Sequence, residues 1–317
     1  MKILEQFHII FNRSWLEIVI IVSKVLVVSM ILLTPDVVFI RNLAAHAFEV
    51  VILLLMSAMF FMIVRMPRIM YVSLGLCAIL SFYLRRQSNT ALRVLFNRNQ
   101  HDFSLCQLTI QGSSDQYENF TKAILQSKAD IINIQEVTPD WSIVLKDALI
   151  KEYPYTAELN RIDPYGMVIF SKYPIHKIDT IVYEDTVNKY QVPALRLRTS
   201  IDHRDVDIVG CHVLPRINHN DFDKVQGFIE MLAHWASHHQ NQSTMIIGDF
   251  SLTPWDYDIQ KLINESKLNL SRREPHLFVQ PFEHILYSND IECNQLKELL
   301  SPNRNHIGIE GFYRFKY

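Results

Sequence analysis

Residues 130–137 read DIINIQEV, a short β-branched run that predicts a buried strand ending in polar residues. A second stretch, TMIIGDF at 244–250, has the same character. Working outward from these two, FSLCQLTI (103–110), GMVIFSKYPI (166–175), VPALRLRTSI (192–201), DVDIVGCHVL (205–214) and HILYS (284–288) also read as strands, and the chain closes on HIGIEGFYRFKY. Helical periodicity covers Gln116–Ser127 and Phe222–His238. Several strands follow one another in the middle of this region. That argues for a mixed-sheet α/β sandwich over a purely parallel doubly wound sheet.

The residues able to do chemistry sit where these strands end. Glu136 follows DIINIQ, His212 ends DIVGC, Asp249 ends MIIG, and His306 precedes the last strand. Taken singly, each has a plainer reading as a charged strand end or a core histidine. Together, two acids and two histidines can bind a divalent cation and move protons around a phosphorus centre. His234, His238 and His239 lie on or after a helix without a fourth ligand, which reads as a solvated surface, and Trp235 reads as core.

The whole chain has 317 residues, 31 Lys+Arg against 33 Asp+Glu, and a net charge of −2. That figure averages two unlike parts. Residues 1–100 hold ten basic and four acidic side chains, a net of +6, whereas residues 101–317 hold 21 and 29, a net of −8. Apolar residues make up 49% and crowd into the first part, which excludes a disordered chain, and eight glycines without a period exclude a collagen-like one.

A bilayer core of ~30 Å needs about 20 apolar residues per helix. Trp15–Thr34, Leu43–Val64 and Ile69–Leu84 therefore predict about three transmembrane helices, the last closed by Arg85 and Arg86. Three apolar cores without an A-x-A-like cleavage site favour an anchor over a signal peptide. Lys24 interrupts the first core. A helical hairpin around Thr34–Asn42 would bring it near Glu49, so an intramembrane Lys24–Glu49 pair is expected. Basic residues divide four against five between the two sides, which leaves the orientation open. Cys106, Cys211 and Cys293 show no framework spacing, so no disulfide scaffold is implied. The expected organisation is an anchor over 1–86, a basic linker over 87–102, and an α/β domain over 103–317.

In order, IINIQEV, YGMVIFSKYPI, VGCHVLP, IIGDFSLTPW, FEHILYS and NRNHIGI resemble the endonuclease/exonuclease/phosphatase superfamily, and most of all its membrane-anchored, YafD-like bacterial members. The likeness spans about residues 103–313. It implies a DNase I-like four-layer α/β/β/α sandwich behind an N-terminal transmembrane region, located in a bacterial inner membrane. It also implies metal-assisted attack of water on a phosphodiester or phosphomonoester. Glu136 would be the ligand for Mg²⁺ (or Mn²⁺), a hard cation that leaves most of its shell to water and phosphate. His212 would donate to the phosphoryl oxygen or leaving group, and Asp249 would orient or deprotonate the attacking water. His306 would stabilise the phosphorane or act as partner acid/base. Arg161 and Tyr165 fall where the family places substrate contacts.

Four positions depart from the family pattern. Thr109 stands where the first strand usually has Asn, Ser251 replaces the Asn of GDFN, Glu283 replaces an Asp, and Asn305 replaces the Asp before the last His. Thr109 keeps a hydroxyl and loses an amide, Ser251 is a smaller donor, and Glu283 moves its carboxylate by one methylene. Asn305 is the most serious change, because a neutral amide beside His306 neither fixes its tautomer nor stabilises imidazolium. A catalytically degenerate domain, acting in binding or scaffolding, is the alternative reading. Only SRREPHLFVQPF (271–282) fills the place of a longer substrate loop, and Arg272 and Arg273 within it read as an exposed pair. Nucleic acid and lipid head groups both suit the fold, and no protein partner is inferable. The −8 charge disfavours a broad basic groove for nucleic acid.

Overall fold

The computed structural model describes residues 14–34, 37–87, 101–110, 117–185, 190–217, 219–271, 282–300 and 306–316. They divide into two compact units, one built on the N-terminal helices and the other on the α/β part.

The N-terminal unit contains α1 (Ser14–Leu33), α2 (Val38–Ala45), α3 (Ala47–Ile63) and α4 (Pro67–Gln87). Two of them, Trp15–Leu33 and Pro67–Gln87, are long and apolar enough to cross a membrane. The stretch expected to form one span over Leu43–Val64 falls on a bent helix pair, which makes a third span if the pair crosses as one. His46, at φ −93° and ψ 22°, interrupts the helical ladder, and α2 and α3 meet at 67°. The expected Lys24–Glu49 pair is not formed either. Lys24 Nζ donates to Ser57 Oγ and to Ser73 Oγ at 2.7 Å, and lies 4.9 Å from the centre of the Phe61 ring. Glu49 lies 3.5 Å from His46, and Glu17 lies 3.6 Å from Arg68. Small hydroxyl-bearing residues on neighbouring helices thus solvate the ammonium group where a carboxylate was expected.

The α/β unit runs β1 (Phe103–Thr109), α5 (Tyr117–Ser127), β2 (Ile131–Gln135), α6 (Pro139–Leu149), β3 (Tyr155–Leu159), β4 (Met167–Ser171), β5 (Ile175–Asp185), β6 (Tyr190–Ile201), β7 (Arg204–Cys211), α7 (His219–Ser237), β8 (Ser243–Asp249), α8 (Tyr257–Ser266), β9 (Asn269–Leu270), β10 (Glu283–Tyr287), β11 (Ile291–Leu300) and β12 (His306–Phe315). One sheet has the order β11-β12-β1-β2-β4-β3 and the other β5-β6-β7-β8-β10-β9. Each contains one parallel pair, β1/β2 and β7/β8, joined through a helix. The other pairings are antiparallel.

Alternation along β2 explains the layering. Ile131 joins Phe103, Leu105, Met245, Ile247 and Tyr313 between the sheets, whereas Ile132 and Ile134 pack outward with Phe120, Ile124, Trp141 and Leu145. On the other sheet, Val209 and Ile246 pack outward with Phe228, Leu232, Ile259 and Leu262. Helices on both outer faces complete the expected α/β/β/α sandwich. Helix α6 starts where Thr138 caps the Trp141 N–H at 3.4 Å and Pro139 occupies the first turn. The edge strand β5 carries Lys177, Asp179 and Glu184, charges that discourage pairing with another chain.

Space is tight around Gly248, beside the site. A Cβ at Gly248 would lie 1.7 Å from the Cys211 carbonyl oxygen and 2.8 Å from Gln135 Nε2. Since backbone blocks that space, Gly248→Ala is expected to cost about 1–3 kcal/mol or more, measured as a lower urea midpoint at unchanged m-value.

Candidate active site

The strand ends converge as the sequence suggested, around a residue it did not mark. Gln135, fully buried at the end of β2, donates through Nε2 to the Cys211 carbonyl. Its Oε1 accepts the Asp249 N–H at 3.0 Å, lies 3.2 Å from His212 Nδ1, and accepts Gln107 Nε2 at 2.9 Å. Gln107 Oε1 in turn accepts Asn133 Nδ2 at 2.6 Å. This amide chain ties the parallel pair of one sheet to the parallel pair of the other. Its visible signal was the polar alternation of Gln107, Asn133 and Gln135 in otherwise apolar strands, because each faces the inter-sheet layer.

Glu136 follows immediately, at φ 59°. Its Oε1 lies 3.5 Å from His212 Nε2, longer than a charge-assisted hydrogen bond of about 2.7–2.9 Å. The His212 side chain is 3% exposed and the Glu136 side chain 37%. Burial lowers the His212 pKa to about 4, so the ring is neutral at physiological pH. Burial also raises Glu136. Asp249 is pushed up to about 6, first by burial and then by the nearby Glu283 and Glu136 charges. The Ser251 N–H, donated to Asp249 Oδ1 at 2.8 Å, acts in the opposite direction. Ser251 itself adopts φ 49°, so its backbone turns back onto the carboxylate.

His306 is paired, though not with its sequence neighbour. Its Nε2 lies 2.6 Å from Glu283 Oε2. Glu283 begins β10, directly opposite Asp249 in the β8/β10 register, while His306 begins β12 in the other sheet. The expected loss of a carboxylate partner for His306 is therefore corrected, since the buried Glu283 supplies one. Asn305 lies outside the described residues, as do Arg272 and Arg273 and residues 272–281 of the short loop.

The substrate-contact candidates divide. Tyr165 is buried, with its ring edge-on to His212 at 6.4 Å between centroids. Arg161 is held by Asp163 through Nε at 2.9 Å and through a terminal nitrogen at 2.5 Å, which commits its guanidinium to the loop. The Thr109 hydroxyl lies buried next to Gln135 in register and has no hydrogen-bond partner among the described residues. His239 Nδ1 donates to the Trp235 carbonyl at 2.7 Å and the ring stacks on that indole, while His238 Nδ1 donates to the His234 carbonyl at 2.8 Å, so these helix-end histidines cap their own helix.

Among the described residues, no three His, Cys, Asp or Glu side chains are arranged to hold a metal. The residues present nonetheless suit a divalent cation held mainly by water and substrate. Glu136 offers a half-exposed carboxylate, the charges of Glu283 and Glu136 add to burial in raising Asp249, and the buried His212 Nε2 has no hydrogen-bond partner among the described residues.

A profile of the Endonuclease/Exonuclease/phosphatase family matches residues 97–303. A sequence search of curated proteins found no match. Solved structures of similar fold include the catalytic domain of human nocturnin with a bound sulfate, at 16% identity and TM-score 0.56, covering 68% of this chain and 96% of that one. An endonuclease/exonuclease/phosphatase from Bacteroides vulgatus aligns at 13% identity and TM-score 0.56, covering 68% and 99%. A mannosyl-6-phosphatase from Bacteroides thetaiotaomicron aligns at 12% identity and TM-score 0.53, covering 67% and 100%. With the two-sheet sandwich and the family match in agreement, the chain belongs to the Endonuclease/Exonuclease/phosphatase family.

Proposed function

We propose that the protein is a membrane-anchored phosphoesterase that uses a divalent metal ion to hydrolyse a phosphodiester or phosphomonoester. The observation that carries this reading is the meeting of Glu136, His212, Asp249 and the Glu283–His306 pair at one end of the sandwich. Asp249, ionised above about pH 6, orients the attacking water and takes its proton. Glu283 stabilises a proton on His306, so the imidazole can stabilise the phosphorane or return a proton to the departing oxygen. Glu136 would hold the metal, which supplies charge neutralisation and polarisation of the phosphoryl group. His212, buried and neutral, and Tyr165 against it shape the floor of the site.

The long apolar helices support anchoring, and an anchor raises the effective concentration of lipid head groups. A lipid phosphoester is therefore a substrate class to set beside nucleic acid, which the acidic domain does not favour. A phosphomonoester substrate draws support from the mannosyl-6-phosphatase likeness. The degenerate reading rested on the altered Thr109, Ser251, Glu283 and Asn305; for Asn305, the most serious of them, the pairing of His306 with Glu283 at 2.6 Å weighs against it.

The full-length protein in detergent, given Mg²⁺ or Mn²⁺, is expected to hydrolyse bis(p-nitrophenyl) phosphate or p-nitrophenyl phosphate. Glu136→Ala and Asp249→Ala should each lower the rate about 10²-fold or more. Unchanged rates in both variants would refute this site.

A further inference from the structure

We propose that His212 is itself a metal ligand, so that its Nε2 and the Glu136 carboxylate form a mixed site preferring a first-row transition ion such as Mn²⁺ to Mg²⁺. The proposal rests on the reading of Glu136 as the metal-holding carboxylate, and adds the second donor and the ion it selects.

It starts from backbone groups whose polarity is fixed. The Cys211 carbonyl can only accept, so the Gln135 atom facing it is the NH₂ group. The Asp249 N–H can only donate, so the Gln135 atom 3.0 Å away is the carbonyl oxygen. The amide has one possible orientation. Its oxygen, an acceptor only, lies 3.2 Å from His212 Nδ1, so Nδ1 carries the hydrogen. A neutral imidazole protonated there presents a bare lone pair at Nε2.

That lone pair is buried without a hydrogen-bond donor among the described residues, and it faces Glu136 Oε1 at 3.5 Å. A cation shared between the two electron-rich atoms satisfies both. Two N/O donors bound at about 2.0–2.2 Å to one ion lie about 3.0–3.5 Å apart, so the observed separation needs little rearrangement. Ligating histidines usually give their other N–H to a carbonyl or carboxylate, which is the role of Gln135 Oε1 here. Mg²⁺ takes oxygen donors, and an imidazole nitrogen shifts preference toward first-row transition ions.

The test uses full-length protein in detergent, stripped with chelator and titrated with Mn²⁺ or Mg²⁺ by calorimetry, with pulsed EPR on bound Mn²⁺. The wild type is expected to bind Mn²⁺ about tenfold or more tightly than Mg²⁺. The EPR should show histidine ¹⁴N modulation that converts to ¹⁵N on histidine labelling, a readout that needs no substitution. His212→Ala should remove that modulation and weaken Mn²⁺ about 10–100-fold, and Gln135→Leu should weaken it in the same direction. Mn²⁺ that binds, is lost in Glu136→Gln and shows no histidine nitrogen overturns the ligand role while sparing the Glu136 reading. Modulation that persists in folded His212→Ala also overturns it. Absence of binding by either ion removes both.

Discussion

Changing Asp249 to Asn is expected to lower turnover about 10²–10⁴-fold while making the protein more stable at neutral pH. The two effects share one cause. Asp249 is held at about 6, above its ordinary value of 3.8, because burial and the Glu136 and Glu283 charges penalise its ionised form. Between those two values the folded state binds a proton that the unfolded chain has released. Stability from this group is therefore full at low pH and is lost as pH rises through about 6. At 1.36 kcal/mol per unit, the penalty at pH 7 is about 1–3 kcal/mol, and a neutral amide that still accepts the Ser251 N–H avoids it. Urea unfolding without divalent ions at pH 4 and pH 7 checks this, with the variant's gain over wild type small at the lower pH and complete at the higher. The wild-type rate should rise with pH through about 6, as the base loses its proton. An inactive Asn variant that is also less stable at pH 7 would show Asp249 to be structural.

Glu283→Gln should have a comparable effect on turnover by a different route. In serine proteases the corresponding Asp→Asn change beside the catalytic histidine costs about 10⁴-fold. Here the amide would keep the hydrogen bond to His306 Nε2 and lose the charge that favours imidazolium. The loss should appear in kcat, with KM changed little, and Glu283→Asp should retain more activity than the amide. A KM effect alone would place Glu283 in substrate binding.

The fold was legible because its central strands are buried on both faces. DIINI and TMIIG sit in the middle of their sheets, and their apolar runs leave no other reading. What escaped were elements whose patterns are set by the edge of the sheet. β11, IECNQLKELL, has helix-like spacing but hydrogen-bonds along β12, and β5 alternates too weakly because much of it is exposed. At the site, Glu136, His212, Asp249 and His306 were visible because charged or imidazole groups at the ends of apolar runs are conspicuous. Gln135 was not, since a neutral amide announces no chemistry until its partners are known. The Glu283–His306 pair was hidden for a different reason. It joins residues from opposite sheets, and adjacency in sequence drew attention to Asn305 instead.

The left-handed backbone at Glu136 and Ser251 has a consequence for anyone optimising this molecule. An L-residue there costs about 1–2 kcal/mol that glycine would not. A search that rewards only melting temperature would therefore rank Glu136→Gly and Ser251→Gly among its first gains, and Asp249→Asn beside them. Each step would look like an improvement while the proposed metal-holding carboxylate and base were being removed. In this molecule the ranking of stabilising substitutions, read backwards, is a map of where activity is expected to reside.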